Sequence, residues 1–222
     1  MGSDKREQMP QPVQVSKLSL AAVLLAAGRS VRMGQPKMLL PWGKTSVLGH
    51  LIQQWQDLHA ARIVVVCAAG DKGIQSELDR LEVPKKDRIY NPAPDQGMFS
   101  SIRCAAAWKG WASTGPLTHW TIALGDQPHL RQETLRSLLE FTARRPQKIC
   151  LPRHNGHRRH PVFLPKLSWL QLAGSSAHDL RQFLDQHAQQ IAICDLDDAG
   201  LDLDIDSPED YRTALDLGNP SP

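Results

Sequence analysis

The sequence predicts an α/β fold on a mostly parallel sheet. Short apolar runs of strand length alternate with segments whose apolar residues recur at helical spacing, the pattern of a sheet covered by helices. The first apolar run feeds directly into a glycine loop, and a later one ends at Gly125-Asp126. In open parallel sheets, ligands gather beyond the carboxyl ends of the strands, so both junctions sit where chemistry is expected.

The elements follow in order. Leu18–Ala26 is near-continuous in apolar residues, as a strand buried on both faces must be. Thr45–Leu58 carries Val47, Leu48, Leu51, Ile52, Trp55 and Leu58 on one helical face. Arg62–Ala68 is a second buried strand. Ile74, Leu78 and Leu81 mark a short helix, and Asp87–Tyr90 a third strand. Ser100–Trp111 suits a helix through Ile102, Ala105, Ala106 and Trp108. His119–Leu124 is a strand and Glu133–Phe141 a helix. Lys148–Leu151 and Val162–Leu164 flank a polar turn at His154–Gly156, which reads as a hairpin. Ala177–His187 is a helix and Gln190–Cys194 a strand. Pro208–Leu217 is a last helix with proline at its start. Residues 1–17 are polar, charged and proline-containing, and are expected to form a disordered tail before one domain over 18–218.

Composition narrows the class. With 41% hydrophobic and 22% charged residues the chain is an ordinary globular one. A net charge of +3 is too small to argue for nucleic acid. No apolar stretch reaches the roughly 18–20 residues that cross a bilayer, so no membrane partner is expected and a cytoplasmic protein is. The cysteines at 67, 104, 150 and 194 are far apart, which favours reduced buried thiols over a disulfide framework.

The loop after the first strand is chemically legible. Leu25, Ala26, Ala27 and Gly28 let a ligand approach the backbone, whose successive N–H groups can meet phosphate oxygens. Ser30 follows, and Arg29, Arg32 and Lys37 place three cations within nine residues. A triphosphate needs such donors and cations; a basic, solvated surface loop is the plainer alternative. The loop is not a Walker A motif: Gly43-Lys44-Thr45 has its ending, but the required first glycine falls on Met38. No G-x-G-x-x-G follows the first strand either. His154, His157 and His160 follow Cys150 at spacings that fit no common zinc pattern.

From Leu25 to Lys37 the chain resembles the L-A-A-G-x-S-x-R-M-G-x-x-K signature of the MobA-like nucleotidyltransferases, the family related to the molybdenum-cofactor enzymes. The resemblance continues through Asn91-Pro92, Gly97-Met98 and Ser100-Ser101, through Gly125-Asp126-Gln127-Pro128, and through Asp204-Ile205-Asp206-Ser207-Pro208-Glu209-Asp210-Tyr211. Arg159-His160-Pro161 stands where the family often has G-H-P.

The resemblance implies a Rossmann-like three-layer α/β/α domain that transfers a nucleoside monophosphate and releases pyrophosphate. It implies that Leu25, Ala26, Ala27, Gly28, Arg29, Ser30, Gly97 and Ser101 bind the nucleotide. Arg32 and Lys37 would neutralise charge on the pyrophosphate and the α-phosphate. Asp126 and Asp206 would hold Mg²⁺, a hard cation that prefers oxygen ligands. Arg159 and His160 would lie near the acceptor. Ala-Ala-Gly goes with CTP in the family, so the implied reaction moves CMP from Mg²⁺-CTP to molybdopterin cofactor, with a molybdoenzyme or chaperone as recipient of the product. A cytidylyl- or uridylyltransferase acting on another phosphorylated small molecule, such as a sugar phosphate or a methylerythritol phosphate, is the alternative within the class. A non-catalytic nucleotide-binding regulator or cofactor chaperone is the alternative outside it, and would have lost the cations or carboxylates.

Two charge runs remain. Arg144–His160 holds six Lys/Arg, three His and no acid, while Asp195–Asp210 holds eight acids and no Lys/Arg. They are expected either as two solvated surfaces or as an acceptor-receiving face and a metal-facing one.

Overall fold

The computed structural model describes residues 18–28 and 30–218; the expected tail and Arg29 lie outside them. Strand β1 (Leu20–Leu25) leads to a small antiparallel pair, β2 (Pro41–Trp42) and β3 (Thr45–Ser46), and then helix α1 (Val47–Asp57). Next come β4 (Arg62–Ala68), α2 (Lys72–Arg80), β5 (Arg88–Asn91) and α3 (Met98–Ala106). β6 (His119–Leu124) and α4 (Gln132–Ala143) follow. Then the chain forms β7 (Ile149–His154), β8 (His157–Arg158), β9 (Val162–Pro165) and α5 (Lys166–Ala173). It ends with α6 (Leu180–Gln186), β10 (Ile191–Asp195) and α7 (Pro208–Gly218).

The main sheet runs β10-β7-β9-β6-β1-β4-β5, with β8 beside β7. β1 pairs in parallel with β4 and β6, as do β4 with β5 and β7 with β10. β9 is antiparallel to β6 and β7. The carboxyl ends of β1, β5, β6, β7 and β10 therefore share one edge. β9 enters from that same edge.

Alternation along β1 builds the layers. Leu20, Ala22 and Leu24 pack into a core shared with α1, α2, α4 and α7, and Ala21, Val23 and Leu25 into one shared with α3, α5 and α6. The sheet is thus buried on both faces, the α/β/α arrangement that near-continuous apolar strands require.

Three segments differ from expectation. The helix expected over Ser100–Trp111 ends at Ala106. Trp108 and Trp111 turn away into an aromatic cluster, and Trp111 meets Trp120 and Trp169 edge-on at 5.8 and 6.0 Å. Helix α5 has no clear helical stripe in sequence because Trp169 and Leu172 are buried while Leu167 and Leu170 are exposed. The hairpin expected between residues 148–151 and 162–164 forms, with Cys150 opposite Phe163, and extends further toward its tip: Arg153 pairs with Arg158 and His154 with His157. Asn155 (φ 48°) and Gly156 (φ 78°) form its left-handed two-residue turn. Gly43-Lys44, part of the discarded Walker-like string, is the bend between β2 and β3.

Candidate active site

The glycine loop is shaped by its own side chains. Ser30 adopts a left-handed φ of 51°, and its Oγ accepts a 3.0 Å hydrogen bond from the Lys37 amide. That bond folds the loop so that residue 37 returns beside the end of β1. A Cβ built on Gly28 would meet nothing within 4 Å, so the protein's own packing does not demand glycine there. The freed space faces a cleft.

The cleft has a volume of about 240 Å³. Leu25, Ala26, Ala27 and Gly28 form one wall, Gly97 and Ser101 another, and Lys37 and Asp126 the floor toward β6. A second cleft of about 220 Å³ shares Gly28 and Lys37 and adds Ser30, Arg32 and Asp206. The structure therefore brings together every described residue expected at the nucleotide, the cations and the metal.

Charges converge where the clefts meet. Lys37 Nζ donates to Asp126 Oδ2 at 2.7 Å, to the Ile205 carbonyl at 3.1 Å and to Asp206 Oδ1 at 3.4 Å. Arg32 donates to Asp206 Oδ2 at 2.7 Å. Lys37 is largely buried, with 14% of its side chain exposed, against 75% for Arg32. Lys37 is accordingly an enclosed charge and Arg32 a solvent-facing one. The carboxylates come from two elements stitched together: the Ile205 amide donates to the Asp126 carbonyl at 3.0 Å, and Gln127 donates to Asp204 Oδ1 at 3.0 Å.

Asp204 is a third carboxylate at the site, one to which the family resemblance gives no role. Burial, and then the nearby carboxylates of Asp126 and Asp206, push its carboxyl above the ordinary range. The alternation Asp202-Leu203-Asp204-Ile205-Asp206 was the available signal, since an extended chain sends alternate residues to one side.

The donor set suits a hard divalent cation. Asp126 Oδ1 is buried and has no hydrogen-bond partner among the described residues. No group of three His, Cys, Asp or Glu side chains able to hold a metal occurs among those residues. Two carboxylates with the remaining positions left to phosphate oxygens and water is how Mg²⁺ is usually held.

The Gly97–Ser101 wall of the cleft is set by β5 and α3. Asn91 Nδ2 donates to Ser100 Oγ at 2.7 Å and Ser101 Oγ at 2.9 Å, while its Oδ1 accepts from Ala93 N at 2.8 Å. Gly97, at φ 86° and ψ 179°, makes the entry into α3 in a region essentially restricted to glycine.

Arg159 and His160 line neither cleft. Arg159 Nε donates to Asp202 Oδ1 at 2.7 Å. His160 is partly buried, with Nδ1 3.5 Å from the Ile122 carbonyl. Burial holds its imidazole below the usual value, against the opposing pull of that carbonyl and of Asp126. His154 turns to Asp202, and His157 is exposed.

The two charge runs are not separate solvated surfaces. Arg153 pairs with Asp195 at 2.5 Å, and His154 and Arg159 both pair with Asp202. The register explains this: β7 and β10 are parallel neighbours with Arg153 opposite Asp195. Arg158 reaches Asp185 at 2.8 Å. All four cysteines are free. No helix among the described residues is long and apolar enough to cross a membrane.

Comparison with known proteins agrees with this architecture. Residues 22–191 match the MobA-like NTP transferase domain. Molybdenum cofactor cytidylyltransferase of Escherichia coli (strain K12) is 28% identical over 200 residues, covering 88% of this chain and 95% of that protein. Among solved structures, Rv0371c from Mycobacterium tuberculosis H37Rv superposes with a TM-score of 0.69 at 22% identity, over 89% of this chain and 98% of that one. The complex of Rv0371C with manganese superposes with a TM-score of 0.64 at 22% identity, again over 89% and 98%. These structures speak for the fold; the family match spans most of the chain and includes the glycine loop, Lys37 and Asp126, and the chain belongs to the MobA-like NTP transferase family.

Proposed function

We propose that this nucleotidyltransferase moves CMP from Mg²⁺-CTP to molybdopterin cofactor and releases pyrophosphate. The observation that carries the reading is the meeting of Lys37 and Arg32 with Asp126 and Asp206 at the mouth of a cleft walled by Ala26, Ala27 and Gly28. The choice of nucleotide and acceptor rests on the similarity to the cytidylyltransferase.

In this reaction an acceptor phosphate oxygen attacks the α-phosphorus, the bond to the β-phosphate oxygen breaks, and pyrophosphate departs. The nucleophile is already an anion, so positioning and charge neutralisation carry the rate. The small side chains of Ala26 and Ala27 let the loop amides approach the phosphates, and the Ala27 methyl narrows the cleft against a purine. Lys37, held by three oxygen acceptors, is preorganised to meet charge on the α-phosphate. Arg32, more exposed, meets the departing pyrophosphate. Asp126 and Asp206 would hold a divalent cation, which supplies further neutralisation of the phosphate oxygens when bound. Arg159 and His160, which line neither cleft, are given to the acceptor by the family resemblance alone.

The test begins with thermal unfolding in CTP, GTP, UTP and ATP, with and without Mg²⁺. A nucleotide at about 100 times its Kd adds about 2.7 kcal/mol. The largest shift is expected for CTP with Mg²⁺, followed by pyrophosphate release on adding molybdopterin cofactor. A preference for GTP or UTP would overturn the substrate and keep the class. Nucleotide binding without pyrophosphate release from any acceptor would favour a binding protein.

A further inference from the structure

Asp202 lies outside both clefts, yet its carboxylate is tied by three side-chain donors. Its Oδ2 accepts from His154 Nδ1 at 2.8 Å and Asn155 Nδ2 at 3.0 Å, and its Oδ1 from Arg159 Nε at 2.7 Å. Those three donors belong to the end of β7, the hairpin turn and the segment that leads into His160. Four residues after Asp202, the chain presents Asp206 to Lys37 and Arg32.

Between these points the chain is pinned on its other side. Ile205 N bonds the Asp126 carbonyl at 3.0 Å, and Asp204 accepts from Gln127. The run 202–206 is therefore a short bridge with one end on the hairpin and the other on the start of α7, where Asp206 N and Ser207 N donate to Asp210 Oδ2 at 3.1 and 2.8 Å and the Asp206 carboxylate faces Arg32 and Lys37. A run held at both ends fixes where Asp206 stands; with the Asp202 end freed, Asp206 keeps its downstream tie to Asp210 and, through Ile205, its tie to Asp126, but loses the upstream restraint. The Arg32 side is exposed and offers little restraint of its own.

We propose that Asp202 is a positioning residue: by tying the start of the 202–206 run to His154, Asn155 and Arg159, it sets the place of the Asp206 carboxylate and joins the acceptor segment to the metal side of the site. This deepens the nucleotidyltransferase reading and rests on it for the role of Asp206. Ordinary fold stabilisation is the competing account. Asp195 supplies the control, because its pairing with Arg153 anchors the same hairpin without touching the run.

The test uses the full chain as wild type, Asp202→Ala, Asp202→Asn and Asp195→Ala, with two readouts. The first is amide hydrogen exchange of the Leu203–Ser207 segment without ligand. The second is Mn²⁺ affinity with CTP present, read from the free-Mn²⁺ electron paramagnetic resonance signal. Loss of a partner that orients a metal ligand typically costs 10–100-fold in affinity. Asp202→Ala is expected to weaken Mn²⁺ binding at least about 10-fold and to speed exchange at Ile205. Asp202→Asn should fall between it and wild type, and Asp195→Ala should change neither readout. Unchanged exchange at Ile205 in Asp202→Ala, or an equal change in Asp195→Ala, overturns the proposal. Faster exchange with unchanged Mn²⁺ affinity overturns it as well, leaving a structural tie alone. Wild-type protein that binds no Mn²⁺ with any nucleotide would instead overturn the role given to Asp206, while exchange at Ile205 still decides whether Asp202 holds the run.

Discussion

Lys37 and Arg32 are both proposed to meet phosphate charge but differ in environment, and the difference separates their variants. Arg32 is mostly exposed, so its ion pair with Asp206 contributes little to stability. Arg32→Ala is expected to leave the unfolding midpoint unchanged and to lower kcat about 100-fold, or about 3 kcal/mol, the scale of a lost oxyanion donor. Lys37→Ala should lower kcat comparably and also lower stability by about 1–3 kcal/mol, because Asp126 and the Ile205 carbonyl lose a donor in a largely buried place. Steady-state kinetics beside urea unfolding read the two effects apart; equal stability losses would show that burial does not distinguish the two cations. A site Asp126→Asn variant that keeps full activity at limiting Mg²⁺ would exclude its metal role. At this scale the sequence was highly legible for residues inside one continuous motif, such as Ser30 and Lys37. It was silent on Asp202 and Asp204, whose partners are 43 to 77 positions away and become visible only once strands are placed.

Two glycines at strand ends do opposite work, and each belongs to its element. Gly125 ends β6 where β1 passes alongside. A Cβ there would lie 2.5 Å from the Leu25 carbonyl oxygen and 2.6 Å from Met38 Sδ. Gly125→Ala must push the ends of β1 and β6 apart, at about 1–3 kcal/mol for overpacking. It should lower kcat too, since Asp126 follows immediately. At Gly28 the added methyl meets nothing within 4 Å but enters the cleft. Gly28→Ala is expected to leave stability intact and raise the nucleotide KM. Thermal unfolding and KM measured on both variants decide the matter; a stability loss at Gly28 without a KM change would remove its role in ligand approach. Elements themselves were readable to the degree that period and length agreed. β4 and β6 run over the expected residues because their apolar runs are continuous and bounded. α3 ends earlier than its spacing predicts because Trp108 and Trp111 keep helical spacing while the Trp111 ring is claimed by Trp120 and Trp169 and the Trp108 ring by Trp111, an interaction that sequence spacing does not encode.

The molecule as a whole buries several histidines in the neutral form, and this fixes the sign of its pH dependence. His50, His119 and His129 all have pKa values pulled below 6.5, burial being the largest cause in each. His129 is the most telling, because Asp198 and Asp126 and the Gly200 carbonyl pull the other way and burial still prevails. As pH falls through 6.5 the unfolded chain takes up protons that the folded chain refuses. The stability present above that pH is therefore lost progressively below it, until the folded-state pKa values are reached. Each such group contributes a slope of up to about 1.4 kcal/mol per pH unit within that window. Urea midpoints measured near pH 7.5 and near pH 5.5 should differ, with the lower value in acid. His129→Gln removes one titrating group while keeping a side-chain donor for the Gly200 carbonyl, which accepts from His129 Nε2 at 2.9 Å. That variant is expected to be less stable near neutrality, because the ring no longer fills its site, and yet to lose less on acidification than wild type. A wild-type midpoint that stays level between the two pH values, or a variant whose loss is undiminished, would mean that these buried rings do not control the acid limb of stability.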